Sequence, residues 1–229
     1  MKFIKFTLNS PLQSWGEDSR WDYRATALFP SKSAIIGLLG CCLGIPRGAP
    51  EIIELDNSLC MAVRSERSGS IMTDYHTVQD INGSILNAEG KPRTGGNTLI
   101  TPKQYLQDAL FTIIIWGKDS VLKACYDAMW HPKWSVYLGR KSCVPSIPII
   151  PTWIEAETPE KAVLICNDNY SRCDNAVQVE MDCNPNDTLS DTQYFHTRHD
   201  KVVHGDLNEY NVRWVKRYTV SRKGESTCT

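Results

Sequence analysis

The stretch from Phe29 to Gly44, F-P-S-K-S-A-I-I-G-L-L-G-C-C-L-G, constrains the fold of this chain more than any other. Ser31 or Ser33 can cap the free N–H groups of a helix start, and the pattern that follows predicts a helix from Lys32 to Leu43. Gly37, Gly40 and Gly44 recur at spacings of three and four, which puts them on one helical face. Each interior glycine costs roughly 1 kcal/mol relative to alanine. Three on one face therefore predict a helix that another backbone approaches closely. Ile35, Ile36, Leu38, Leu39 and Leu43 cover the other faces and suffice to bury it. Two readings fit: a small-residue helix packed tightly on a sheet, or a helix whose Ser31–Lys32–Ser33 start, beside the bare face at Gly37, holds a phosphate backbone.

The flanking segments place that helix in a sheet. Lys2–Leu8 alternates as a strand, and residues 9–30 read as a loop carrying the tryptophans Trp15 and Trp21. Ser58–Ser65 reads as a second strand. Strand-like Ile71–Val78 leads into a polar, glycine-rich stretch, Asn82–Asn97, followed by Thr98–Leu106. This composition predicts an insertion over residues 76–105, built as a hairpin or partly mobile arm. Ala109–Trp116 is the most apolar strand and belongs at the sheet centre. Asp119 is the expected cap of a helix through Met129. Residues 134–156 carry strand signals between Pro145, Pro148 and Pro151. Residues 146–229 are expected to complete or extend the sheet, with a loop at Cys183–Asp191 and a final strand at Tyr210–Val220. The order is β-α-β-β-α-β, the ferredoxin-like (RRM-like) plan of the α+β class, with additional C-terminal β structure in a single domain, 1–229.

Bulk properties exclude several classes. The 229 residues carry a net charge of −1, so no whole-molecule basic field draws in nucleic acid, and RNA binding must rest on a local site. Met1-Lys2-Phe3-Ile4-Lys5 does not lead into a signal sequence, and no apolar run approaches membrane-spanning length. Nine cysteines, several inside apolar runs, read as reduced thiols in a cytoplasmic protein.

Four constellations carry chemistry, each beside a plainer reading. Tyr137-Leu138-Gly139-Arg140-Lys141-Ser142-Cys143 offers an aromatic to stack on a base and two cations for phosphates, or is a solvated surface turn. Asp74-Tyr75-His76-Thr77, if extended, points Tyr75 and His76 to opposite faces, which argues against one catalytic centre. His76 is an acid/base candidate or a histidine that only hydrogen-bonds. Gln13-Ser14-Trp15-Gly16 can touch RNA edges and sugars, or it is a loop anchored in the core by its tryptophan. His196, His199 and His204 lie near Asp200, Asp206 and Glu209, but Tyr194–Val203 reads as extended and no C-x-x-C pair exists, so no metal is expected. No P-loop, dinucleotide fingerprint, G-x-S-x-G or H-E-x-x-H occurs.

Taken in order, P-L-Q-S-W-G at 11–16, F-P-S-K-S-A-I-I-G-L-L-G-C-C-L-G-I at 29–45, D-Y-H-T-V at 74–78, Y-L-G-R-K-S-C at 137–143 and the aromatic strand near Trp214 resemble the CasD-type subunits of type I-E CRISPR Cascade complexes, members of the RAMP superfamily. The resemblance spans essentially the whole chain. It implies a ferredoxin-like fold with a β-hairpin thumb at residues 76–105 and no cofactor. It implies a subunit that grips the 5′ handle of the CRISPR guide RNA (crRNA), caps one end of the complex, and contacts the large subunit and the adjacent backbone subunit. Target DNA is then met through the assembled complex, in antiviral defence. The RNA-contacting set it suggests is Gln13, Ser14, Trp15, Ser31, Lys32, Ser33, Gly37, Tyr75, His76, Tyr137, Gly139, Arg140 and Lys141. Related subunits of another subtype process precursor crRNA with Tyr, Lys and His side chains. Tyr75, His76, Lys103 and Tyr105 match in type only, so a non-catalytic scaffold is expected. A metal-independent endoribonuclease and a protein–protein adaptor without RNA are the alternatives.

Overall fold

The computed structural model describes residues 1–16, 23–80, 85–87, 89–91, 98–165, 176–190, 193–204 and 209–221. Trp21, most of Asn82–Asn97, Cys166, Cys173, Asp206 and Cys228 lie outside the described residues. In chain order the elements are β1 (Lys2–Asn9), β2 (Leu12–Gln13), α1 (Lys32–Leu43), α2 (Pro50–Ser58), β3 (Leu59–Arg67), β4 (Ser70–Gln79), β5 (Thr98–Gln107), β6 (Leu110–Gly117), α3 (Asp119–Trp130), β7 (Thr152–Glu155), α4 (Pro159–Ile165), β8 (Ala176–Asp182), β9 (Tyr194–His204) and β10 (Glu209–Ser221). The expected α+β class is what the chain adopts. A seven-stranded sheet runs β7-β1-β6-β3-β8-β10-β9, and a second sheet runs β2-β5-β4. Every strand pairing within both sheets is antiparallel.

Alternation along the strands explains why the centre of the large sheet is so apolar. Phe111, Ile113 and Ile115 of β6 pack on one face with Ile4, Phe6 and Leu8 of β1, Ile35, Ile36 and Leu39 of α1, and Leu122, Cys125 and Met129 of α3. Ile114 and Trp116 of β6 point to the other face, where Phe3, Ala62, Met181 and the α4 residues Ala162 and Val163 meet them. A strand covered on both faces loses its period-two pattern and reads as one apolar run. The expected central position of β6, between β1 and β3, follows from this burial.

Helix α1 has the predicted bounds. Ser31 is its N-cap, its hydroxyl accepting from Ala34 N at 3.4 Å, and Gly44 ends it at φ 74. The close backbone approach expected along its glycine face is not found among the described residues. A Cβ on Gly37 would meet nothing within 4 Å, and one on Gly40 would meet the Ile52 side chain at 2.6 Å. The nearest atoms to a Cβ on Gly44 belong to the Lys133 side chain. Glycines pressed on backbone lie elsewhere, and at this face of the molecule the contact is at Gly139. There φ is +92, and a Cβ would sit 1.6 Å from the Ser14 carbonyl oxygen.

Other expectations need correction. The loop over residues 9–30 contributes β2 and a bridge from Arg24 to Lys103. Two helices were not anticipated, α2 and α4. Each begins with proline at its first turn (Pro50, Pro159), the position where proline's missing N–H costs nothing, so a signal was present. Asp119 is the first residue of α3 and not its cap. Lys118 occupies the cap position and makes no side-chain cap bond. Asp119 instead places a carboxylate against the positive helix end. Residues 134–151 form no strand, because Pro132, Pro145, Pro148 and Pro151 remove ladder donors, and only Thr152–Glu155 pairs, with β1. Residues 183–190 are a loop, as expected.

Candidate nucleic-acid interface

The exposed strip of α1 floors a groove. Ser33, Gly37 and Cys41, one turn apart, lie between the loop carrying Trp134, Tyr137 and Gly139 and the end of the β9–β10 pair at Val202 and Tyr210. This part encloses about 410 Å³ and is rimmed by Arg47. It continues past Ser33, Ala34, Gly139 and Tyr210 into a more open depression of about 640 Å³ bounded by Ser14, Arg24, Ser31, Lys103 and Arg140. Among the described residues, the two depressions are lined by four cationic side chains (Arg24, Arg47, Lys103 and Arg140), by the aromatics Trp134, Tyr137 and Tyr210, and by no carboxylate. All three rings keep more than a third of their surface exposed. A cationic, aromatic groove on a chain of net charge −1 is a local site of the kind a backbone and its splayed bases would need.

The groove wall is built by backbone docking. Ser14 N donates to Leu138 O at 3.1 Å, Leu138 N to Cys143 O at 2.8 Å and Cys143 N to Arg140 O at 2.8 Å. Leu138 and Cys143 are buried beneath the turn, and burial raises the Cys143 thiol above its ordinary range. Gly139 is the residue that lets this turn lie directly on Ser14.

The start of α1 is locked from below. Lys32 N donates to Asp200 Oδ2 at 2.7 Å, while its ammonium, almost fully buried, donates to Asp56 O at 3.0 Å and stands 3.6 Å from Asp56 Oδ1 and 3.8 Å from Asp182 Oδ2. Arg213 grips Asp200 through Nε at 2.8 Å and Nη2 at 2.7 Å and also pairs with Asp182. Arg198 donates through Nη1 to both Glu180 oxygens, at 3.0 and 3.2 Å, and through Nη2 to Phe29 O at 3.4 Å, and Arg217 bonds Glu180 as well. Four cations (Lys32, Arg198, Arg213, Arg217) thus face four carboxylates (Asp56, Glu180, Asp182, Asp200). Burial alone would raise the Asp200 carboxyl, but the Arg213 guanidinium and the Lys32 amide hold it below the usual carboxylate range. Asp56 goes the other way, raised by burial against the opposing pull of Lys32. Asp200, weighed in the sequence beside three histidines, is thus held by Arg213, and no group of three metal-ligating side chains converges among the described residues.

Of the residues singled out in the sequence, Ser14, Ser31, Ser33, Gly37, Tyr137, Gly139 and Arg140 converge on the groove. Gln13 does not: it is fully buried, donating to Ala109 O at 2.8 Å and accepting from Trp15 Nε1 at 3.2 Å. Trp15 is buried too, so this loop follows its plainer reading as a core anchor. The Lys32 ammonium points into the ion cluster. Tyr75 and His76 sit on β4, opposite Pro102 and Thr101 of β5, with Tyr75 well exposed and His76 3.6 Å from Asp74. Lys141 is exposed on the turn but does not line the groove. Arg24, Arg47, Trp134 and Tyr210 were not singled out. Trp134 stands three residues before Tyr137 in a basic–aromatic run, a signal that was available, whereas Arg24 and Tyr210 reach the groove only through tertiary folding.

The sequence model of the family described as CRISPR-associated protein (Cas_Cas5) matches residues 3–217. This chain belongs to the Cas5 family. The CRISPR system Cascade subunit CasD of Escherichia coli (strain K12) is 32% identical over 174 residues, spanning 71% of this chain and 75% of CasD. A chain of a solved CRISPR RNA-guided surveillance complex is similar with a TM-score of 0.73 at 25% identity, covering 96% of this chain and 90% of its own. The crystal structure of a Cas protein is similar with a TM-score of 0.68 at 22% identity, covering 97% and 96%, a likeness in fold. No helix among the described residues is long and apolar enough to cross a membrane.

Proposed function

We propose that this Cas5 protein is a non-catalytic RNA-binding subunit of a Cascade surveillance complex of type I-E, and that its α1 groove grips the 5′ handle of the crRNA. The observation that carries this reading is the groove itself, which among the described residues presents four cations, three exposed rings and no carboxylate. Arg47 and Lys103 suit phosphates, and Trp134, Tyr137 and Tyr210 offer faces on which splayed bases stack. The β4–β5 hairpin is the thumb, and the strand set β7-β1-β6-β3 with α1 and α3 is the ferredoxin-like unit that presents it. The large subunit and the neighbouring backbone subunit are the protein partners, and the assembled complex meets target DNA in the cytoplasm. Kinship with the Cascade subunit CasD supports this assignment. His76 and its neighbour Asp74 lie on the hairpin surface, and neither lines the groove, which favours binding over cleavage.

The test is binding of the full chain to a synthetic RNA carrying the repeat-derived 5′ sequence, beside a scrambled RNA. Tyr137→Ala is expected to cost about 1–3 kcal/mol of binding if one base stacks there. Arg47→Ala should lower the salt slope by about one. Equal affinity for both RNAs, or none, contradicts the reading. Repeat RNA incubated in EDTA should stay intact; cutting that disappears in His76→Ala would establish the endoribonuclease alternative instead.

A further inference from the structure

Arg140, which lines the groove, has both its Nη atoms engaged within the protein. Its Nη1 donates to Gln104 O at 2.8 Å and its Nη2 to Arg24 O at 3.0 Å, while the guanidinium lies over the Tyr105 ring at 4.6 Å. Three chain segments meet at this one side chain: the 137–143 turn that walls the groove, the stretch leading from Arg24 towards α1, and the base of β5. The Arg24 carbonyl accepts a second bond, from Gln104 N at 2.8 Å, and Arg24 N donates to Pro102 O at 3.0 Å. Arg140 therefore completes a seam between the hairpin and the groove. On the other side of the same turn, Gly139 rests on Ser14.

We propose that Arg140 is a positioning residue: it locks the base of the β4–β5 hairpin to the wall of the α1 groove, so that the two present their surfaces to RNA at one fixed angle. A planar fork is required for this role, since two carbonyls on different segments and a ring face must be met at once. A lysine carries the same charge but offers neither the fork nor the stacking plane. The inference rests on the proposed RNA-binding role only for its functional consequence; the seam is a property of the chain alone.

The experiment compares the full chain with Arg140→Ala and Arg140→Lys by amide exchange at Arg24 and Gln104 and by binding of the 5′-handle RNA across a salt series. The expected result is loss of protection at both amides in both variants, and affinity reduced about tenfold in each with an unchanged salt slope, because no phosphate contact has been removed. Arg140→Lys, which keeps the charge and the stem, stands in if Arg140→Ala fails to fold. Restoration of binding by lysine, or a slope lowered by about one with the seam amides still protected, would make Arg140 a phosphate contact and overturn the proposal. Unchanged protection and affinity in both variants would overturn it as well. Absence of RNA binding in the parent chain would sink the functional reading, and the exchange data would still decide the seam.

Discussion

Single residues decide where this groove is open and where it is closed. Gly37 and Gly139 make opposite cases. At Gly37 an added methyl meets no described residue within 4 Å, so Gly37→Ala should raise stability by about 0.5–1 kcal/mol while narrowing the groove floor. At Gly139 the same change drives a Cβ into the Ser14 carbonyl at a positive φ, and a loss of about 2 kcal/mol or more is expected. Denaturant titration of the two variants checks both, and equal effects would mean that the Gly139 turn is not docked on Ser14. Spacing alone could not separate these glycines. The sequence shows that a glycine is present, but whether backbone, side chain or ligand occupies the space beside it is a tertiary fact. The same limit applies to Lys32, whose place in a serine-flanked helix start suits a phosphate, whereas Asp56, Asp182 and Asp200 reach it from three other elements, α2, β8 and β9.

Elements were legible where one physical signal dominated. The bounds of α1, the central β6 and the pairing of β4 with β5 follow from capping, double-sided burial and alternation. Helices α2 and α4 were hidden because they are short, and only their N-terminal prolines mark them. The cluster tying α1 to β8, β9 and β10 was illegible, since its links to α1 join groups more than a hundred residues apart, as in the Lys32–Asp182 pair and the bond from Lys32 N to Asp200. Removing one member strands the others. Asp200→Ala should cost about 3–5 kcal/mol by leaving Arg213 short of its bidentate partner in a buried site. The pH dependence has a definite sign. The Asp200 carboxyl is lowered by folding, so its contribution is present above about pH 4 and is lost as pH falls through its folded value. Asp56, raised by burial, opposes this, because protonation relieves its desolvation. Acid titration of stability should therefore fall less steeply below pH 4 in Asp200→Ala than in the parent chain. An identical acid limb would exclude Asp200 as the titrating group.

At the scale of the whole molecule, a net charge of −1 coexists with a groove that, among the described residues, is lined by four cations and no acid. A general nucleic-acid binder spreads positive charge over a face, whereas this arrangement suits one short strand held in one place. In the function proposed above, that strand is the guide RNA. The most direct measurement is affinity capture of the tagged chain from its native cell, with sequencing of the bound RNA and mass spectrometry of the bound proteins. Short RNAs sharing one repeat-derived 5′ sequence, recovered together with a large subunit and backbone subunits, are the predicted result. Recovery of the chain without such RNAs and without those partners would contradict the account.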